Sequence, residues 1–265
     1  MEIASTAYHA LSAFLVFMLG LTLSVIIGRK FGLRTGGALI LYVWHTLFSM
    51  FYCWYVLNSG GDALSYFRWG QNWAGELQVG TAGVVMISGI LVNIFGLSLI
   101  GAFLVFNIFG QIGLLAFWAS LKAGVAGKPR HIRALATLIV FLPSVSFWSS
   151  ALGKDAISFM ATGLALWSSI NLSRRSFLMV FAISAMFFVR PHMAGFMVMA
   201  IAIAVLVDSN VSVIKKIVVA IFFGAVAAVL IPFALKYAGL SAVVSVESVA
   251  EYIDKRQTYN VEGGG

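Results

Sequence analysis

The sequence predicts an all-α fold, a polytopic transmembrane helix bundle of about eight spans with an interfacial or re-entrant helix near 81–97. Three observations carry this. The 265 residues are 61% hydrophobic and only 10% charged, with a mean hydropathy of +1.00, whereas soluble domains carry about a quarter charged residues. The apolar runs are continuous and helix-length, near the roughly 20 residues that cross a hydrocarbon core of about 30 Å, and they lack the alternation of a membrane β-barrel. The basic residues cluster in the short segments between those runs.

The first run, from Tyr8 to Ile27, has no basic segment before it and is followed by Arg29 and Lys30. It reads as a membrane span with its N-terminus outside rather than as a cleavable signal. The remaining spans fit at 38–57, 98–121, 134–150, 156–172, 177–189, 193–207 and 217–235. The connections 28–37, 122–133, 173–176 and 208–216 hold Arg29, Lys30, Arg34, Lys122, Lys128, Arg130, Arg133, Arg174, Arg175, Lys215 and Lys216, with Asp208 their single acid. The positive-inside bias makes these loops cytoplasmic. Counting 81–97 (TAGVVMISGILVNIFGL) as another span would put 58–80 and 122–133 on one side and throw every later loop out of phase. It is therefore laid in the outer interface or as a re-entrant hairpin. Residues 1–265 read as a single transmembrane domain ending in an outer interfacial tail, 236–265, in which Val243, Val244, Val246, Val249 and Ile253 line one helical face. The three closing glycines suggest a chain that is C-terminally incomplete.

The net charge of +8 does not imply a nucleic-acid partner, because most of the basic residues serve topology. A lone cysteine, Cys53, excludes an intramolecular disulfide and a cysteine-rich zinc site. The run GRKFGLRTGG lacks the Gly-Lys-Ser/Thr of a phosphate loop, and no paired histidines suggest a metal site. His45 falls mid-span, where interhelical hydrogen bonding is its expected role.

Eight of the nine carboxylates fall on the outer face, all but Asp208. Arg68, Lys154 and Arg190 lie there too, against the orientation bias, so something other than topology placed them. In NSGGDALSYFRWG, residues 58–70, two glycines precede Asp62, Tyr66 and Arg68. Asp62 and Tyr66 are spaced to share a helix face, and a carboxylate at the lip of a membrane cavity suits a general base acting on a hydroxyl. The plainer alternative is that Asp62 caps a helix. In LPSVSFWSSALGKDAISF, residues 142–159, Pro143 is placed to kink a span. Trp148 then marks the interface, and Lys154 with Asp155 sits in a tight turn. An ammonium held there matches the phosphate of a lipid-linked substrate. In FFVRPHMAGF, residues 187–196, Arg190 and His192 are confined between spans. An Arg so close to lipid needs an anionic partner, with Asp62, Asp155 or a bound anion as the candidates.

This order of parts resembles the bacterial polysaccharide-polymerase and GT-C-type membrane glycosyltransferase group of O-antigen and exopolysaccharide assembly. The matching parts are Gly61-Asp62-Ala63 with Tyr66, then FWSSALGKDAISF after a proline, then Arg190-Pro191-His192. The resemblance implies a multi-pass protein of the bacterial plasma membrane acting on its outer face. A polyprenyl-phosphate-linked sugar would be the donor and a glycan the acceptor, with other cell-envelope assembly proteins as further partners. Asp62 would be the catalytic base. Lys154, Arg190 and Arg68 would bind the substrate phosphate, with His192, Asp155, Tyr66 and Trp148 in support. No cofactor is implied, and a divalent ion is left open. The rival readings are a transporter or flippase for lipid-linked glycans, and a non-catalytic membrane subunit.

Overall fold

Each apolar run up to residue 207 becomes a helix in the computed structural model, which describes residues 6–207 and scattered positions between 212 and 228. Helix α1 (Ala7–Lys30) starts on Thr6, whose hydroxyl accepts from the His9 N–H at 3.2 Å. A short turn leads into α2 (Thr35–Ser59). Gly60 and Gly61 then take φ of +77° and +146°, a region that side chains with a Cβ avoid, and reverse the chain into α3 (Asp62–Gln71). Helix α4 (Thr81–Gly89) runs on into a π-turn, Ile90–Ile94. Helix α5 (Leu99–Gly124) is capped by Ser98. Helices α6 (Arg130–Val140) and α7 (Pro143–Ser149) together fill the expected fourth span, broken at 141–142 because the residue before a proline avoids helical geometry. Helices α8 (Lys154–Ser169) and α9 (Leu172–Val189) complete a compact unit that ends at Arg190. Helix α10 (Pro191–Val207) belongs to a second unit.

Among the described residues, five helical stretches are long and apolar enough to cross a membrane: α1, α2, α5, the composite Arg130–Ser149 and α9. Of the eight expected spans, five meet this length and hydropathy among the described residues. Helix α8 has 16 residues and α10 has 17. The expected span 217–235 lies for the most part outside the described residues, and the tail 236–265 lies wholly outside them.

Contacts at the helix ends fix the directions in the first unit. Lys122 of α5 donates to the Gly32 carbonyl at 2.7 Å, and Trp167 of α8 packs on Phe31 with ring centroids 5.5 Å apart. The C-termini of α1, α5 and α8 therefore meet at one end, here the basic end. Arg175, near the start of α9, also joins it by donating to the Trp167 carbonyl at 2.7 Å. At the opposite, Asp62 end, the Gly80 N–H donates to the Phe188 carbonyl near the C-terminus of α9 at 2.7 Å. Every described carboxylate (Asp62, Glu76 and Asp155) is found at the Asp62 end.

Helix α5 is the centre of the array, with 78% of its most apolar window buried against 17–33% for the other long helices. Its contact with α8 runs backbone to backbone. A Cβ on Gly113 would come within 2.8 Å of the Met160 Cα, and one on Gly163 would strike the Gly113 backbone. Small residues allow this approach, which is how helices gain contact where lipid removes the hydrophobic drive.

The segment 81–97 forms a shorter apolar helix than the five long stretches. Residues Thr81–Ile94 span only about 21 Å as a helix, short of the core thickness. Its two ends are also held at one end of the array. Thr81 accepts from the Lys154 ammonium at 2.6 Å, and the Phe95 carbonyl accepts from Tyr8, at the start of α1, at 2.6 Å. Between them, Asn93 donates to the Gly70 carbonyl at 3.1 Å, and Gly70 and Gly89 bring α3 and α4 into close contact.

Candidate functional site

Helix register places the Lys154–Asp155 turn below the rim of the Asp62 end. Gly113 packs at the level of Met160 and Gly163, and α5 and α8 run the same way. Lys154 precedes Met160 by six residues and Leu99 precedes Gly113 by fourteen. At 1.5 Å per residue, the start of α8 is recessed on the order of 10 Å from the start of α5. Tyr52, seven residues before the end of α2, is about 10 Å down by the same measure. It lies beside the end of α7, its ring packed on Phe147 and Trp148.

Two cations are tied down in the recess. The Lys154 ammonium donates to the Thr81 hydroxyl. Arg190, the C-cap of α9, donates through Nη2 to Asp155 Oδ1 at 2.5 Å. The sequence demanded an anionic partner for Arg190, and Asp155 fills that role among the three candidates. The pair is part-exposed, with Arg190 at 33% and Asp155 at 47% of full side-chain exposure. Each ion also suits its helix end, because Asp155 occupies the first turn of α8 and Arg190 caps the C-terminus of α9.

Asp62 is the first residue of α3, behind the Gly61 N-cap, and is exposed. Its carboxylate makes no hydrogen bond or ion pair among the described residues. Tyr66, one turn on, is buried, and its ring lies against Gly153, where a Cβ would meet it at 3.5 Å. Trp148 is exposed and packs edge-on to Phe147 at 5.2 Å and to Tyr52 at 6.1 Å. Tyr52 itself sits 4.6 Å from Phe147, so an aromatic wall flanks the recess.

Arg68 is not brought into this group. It lines a separate cleft of about 620 Å³ with His9, Gln71 and Ser98, near the start of α1. The reason is periodicity: Tyr66 and Arg68 are two residues apart on α3 and so face different sides. His192 opens α10 in the second unit. No group of three or more His, Cys, Asp or Glu able to hold a metal ion occurs among the described residues.

Sequence reasoning missed Tyr52 and Thr81. Tyr52 sits in an aromatic-rich helix where nothing marks it out from Tyr55 or Trp54. Thr81 could have been suspected as a small polar residue opening an apolar segment.

A second polar cluster is buried deeper, between α2, α5 and α7. The Ser149 hydroxyl donates to the Val145 carbonyl at 2.6 Å, so His45 Nε2 supplies the hydrogen in its 2.9 Å contact with Ser149 Oγ. That is the interhelical hydrogen bond expected of His45, and it leaves the serine unactivated. Asn107 donates to Thr46 at 2.9 Å, while His45 Nδ1, the Gln111 amide and the Ser146 hydroxyl are buried without a partner among the described residues. Comparison with known protein families, curated proteins and solved structures finds no match for this chain.

Proposed function

We propose that this protein is a membrane glycosyltransferase or polysaccharide polymerase. In this reading it transfers a sugar from a polyprenyl phosphate carrier on the outer face of a bacterial plasma membrane. The observation that carries the reading is the anchoring of two cations, Lys154 and Arg190, beside Asp155 in a recess flanked by aromatic rings, with Asp62 one helical turn from Tyr66, whose ring lies on Gly153. Asp155 is engaged by Arg190, whereas Asp62 has no such partner among the described residues. Asp62 takes the proton from the acceptor hydroxyl. The acceptor oxygen bonds to the anomeric carbon, the bond from that carbon to the phosphate oxygen breaks, and the electron pair leaves with the phosphate. Lys154 and Arg190 neutralise the charge that develops there. The guanidinium can serve a phosphate while keeping Asp155, because a single Nη2 contact leaves its other N–H groups free to donate. Trp148 and Tyr52 offer faces on which a sugar ring can stack.

The test is product formation by the purified full chain in vesicles containing a polyprenyl-diphosphate-linked sugar and a saccharide acceptor. Removing one donor aimed at developing charge typically costs about 10²–10³ in rate. Asp62→Asn and Arg190→Ala are each expected to lower product by at least that much while leaving membrane insertion intact. Unchanged product in either variant refutes the role given to that residue.

A second reading, transport, has one observation in its favour. The buried cluster of His45, Asn107 and Gln111 lies near mid-helix beside the broken α6–α7 pair. Discontinuous helices with polar groups at that depth are how many transporters bind substrate. His45→Leu should abolish activity under this reading and leave glycosyl transfer intact under the first.

A further inference from the structure

The basic end carries a feature that the proposed chemistry does not use. A cleft of about 670 Å³ opens between the 31–34 turn, the last turns of α5 and the first turns of α6. Arg34, Lys122 and Arg133 enter it from three different elements, and Trp118 and Trp167 line it beside Ala119 and Ala136. The cleft is therefore apolar within and cationic at its rim. Lys122 is steadied by the Gly32 carbonyl, a neutral acceptor. Arg34 and Arg133 make no side-chain hydrogen bond or ion pair among the described residues, and no described carboxylate lies at this end. Arg175 adds to the positive field, with its guanidinium carbon 3.7 Å above the Trp167 ring.

Positive-inside topology explains basic residues in loops but does not require them to converge on one hollow. Gly37 keeps the hollow's wall in place, since a Cβ there would come within 2.6 Å of the Trp118 ring. We infer that this cleft binds an anionic glycerophospholipid. Its phosphate lies among Arg34, Lys122 and Arg133, and its first methylenes lie on Trp118 and Trp167. The occupant follows from charge and shape together. A free phosphate would leave the apolar walls unused, and a zwitterionic lipid would bring its own cation toward three others. Indole rings at headgroup depth and basic pockets between membrane helices are both suited to such lipids.

The test uses the full chain reconstituted in nanodiscs of equal parts phosphatidylglycerol and phosphatidylcholine, then released and weighed by native mass spectrometry. One phosphatidylglycerol is expected to be retained in preference to phosphatidylcholine. Each cation near an anionic headgroup favours association roughly fivefold, so Arg34→Gln, Lys122→Gln and Arg133→Gln combined should weaken retention roughly a hundredfold. The matched triple Lys30→Gln, Lys128→Gln and Arg130→Gln removes equal charge from the same end outside the cleft and should leave retention near that of the parent. Should the first triple fail to fold, Arg133→Gln alone gives the smaller, fivefold version of the result. Equal retention of the two lipids overturns the inference. So does equal loss in both triples, which would signify bulk attraction, and so does displacement of the lipid by millimolar inorganic phosphate, which would signify a free-phosphate site.

Discussion

The Arg190–Asp155 contact can be measured apart from any activity, by a double-mutant cycle of Asp155→Asn and Arg190→Gln. A fully exposed ion pair couples by about 0.2–1 kcal/mol, and a charge-assisted hydrogen bond that is well buried contributes about 1.5–3 kcal/mol. With one side chain a third exposed and the other about half, the coupling here should fall between them, at about 1–2 kcal/mol. Each single substitution also removes a charge that suits its helix terminus, adding about 0.3–1 kcal/mol to its own loss. The singles should therefore each cost about 1.5–3 kcal/mol, and the double should cost less than their sum by the coupling. Equilibrium unfolding by dodecyl sulfate in mixed micelles, followed by circular dichroism, reads all four proteins. Losses that add to within about 0.3 kcal/mol would mean that the two groups do not interact, and the recess as described here would fall with them.

The helix array makes two further predictions. Gly113→Val should destabilise by at least about 1–3 kcal/mol in the same titration, since the added carbons meet the Met160 backbone. Gly36→Ala, which meets nothing within 4 Å, should be neutral or slightly stabilising; a neutral Gly113→Val would remove the close α5–α8 contact. In a Cys53→Ser background, a cysteine at Leu77 and one at Lys128 should react with a membrane-impermeant thiol reagent from opposite sides of sealed vesicles. Reaction from the same side would contradict the alternation of the helices.

Much of this arrangement was legible because lipid enforces simple rules. Long apolar runs must be helices, and loop charge sets their phase, which sets 81–97 apart from the long spans as an interfacial or re-entrant segment; its helix is short and tethered at both ends. The need of Arg190 for an anion was legible too, because charge near lipid is costly. The identity of that anion was not. Asp62 and Asp155 are equivalent as residue types, and only the meeting of α8 and α9 puts Asp155 on the guanidinium. The depth of the Lys154 turn was likewise hidden. It depends on the register of α8 against α5, which Gly113 and Gly163 set through backbone contact rather than through any pattern of hydropathy.

The three basic residues held against the orientation bias do not form one site, and that separation says what the bias can reveal. A base in the wrong loop signals a local reason for its charge, but not a shared one. Lys154 and Arg190 converge because they sit at the ends of packed helices, whereas Arg68 sits on a surface helix whose opposite side carries Tyr66 into the array. The two ends of the first unit then differ in what they can do. The basic end has cations and no described carboxylate, which suits it to hold an anion. The Asp62 end holds carboxylates as well as cations, the combination that acid–base chemistry on an anionic substrate requires. The proposed group transfer fits the Asp62 end and the inferred lipid binding fits the basic end, because each matches the charges found there.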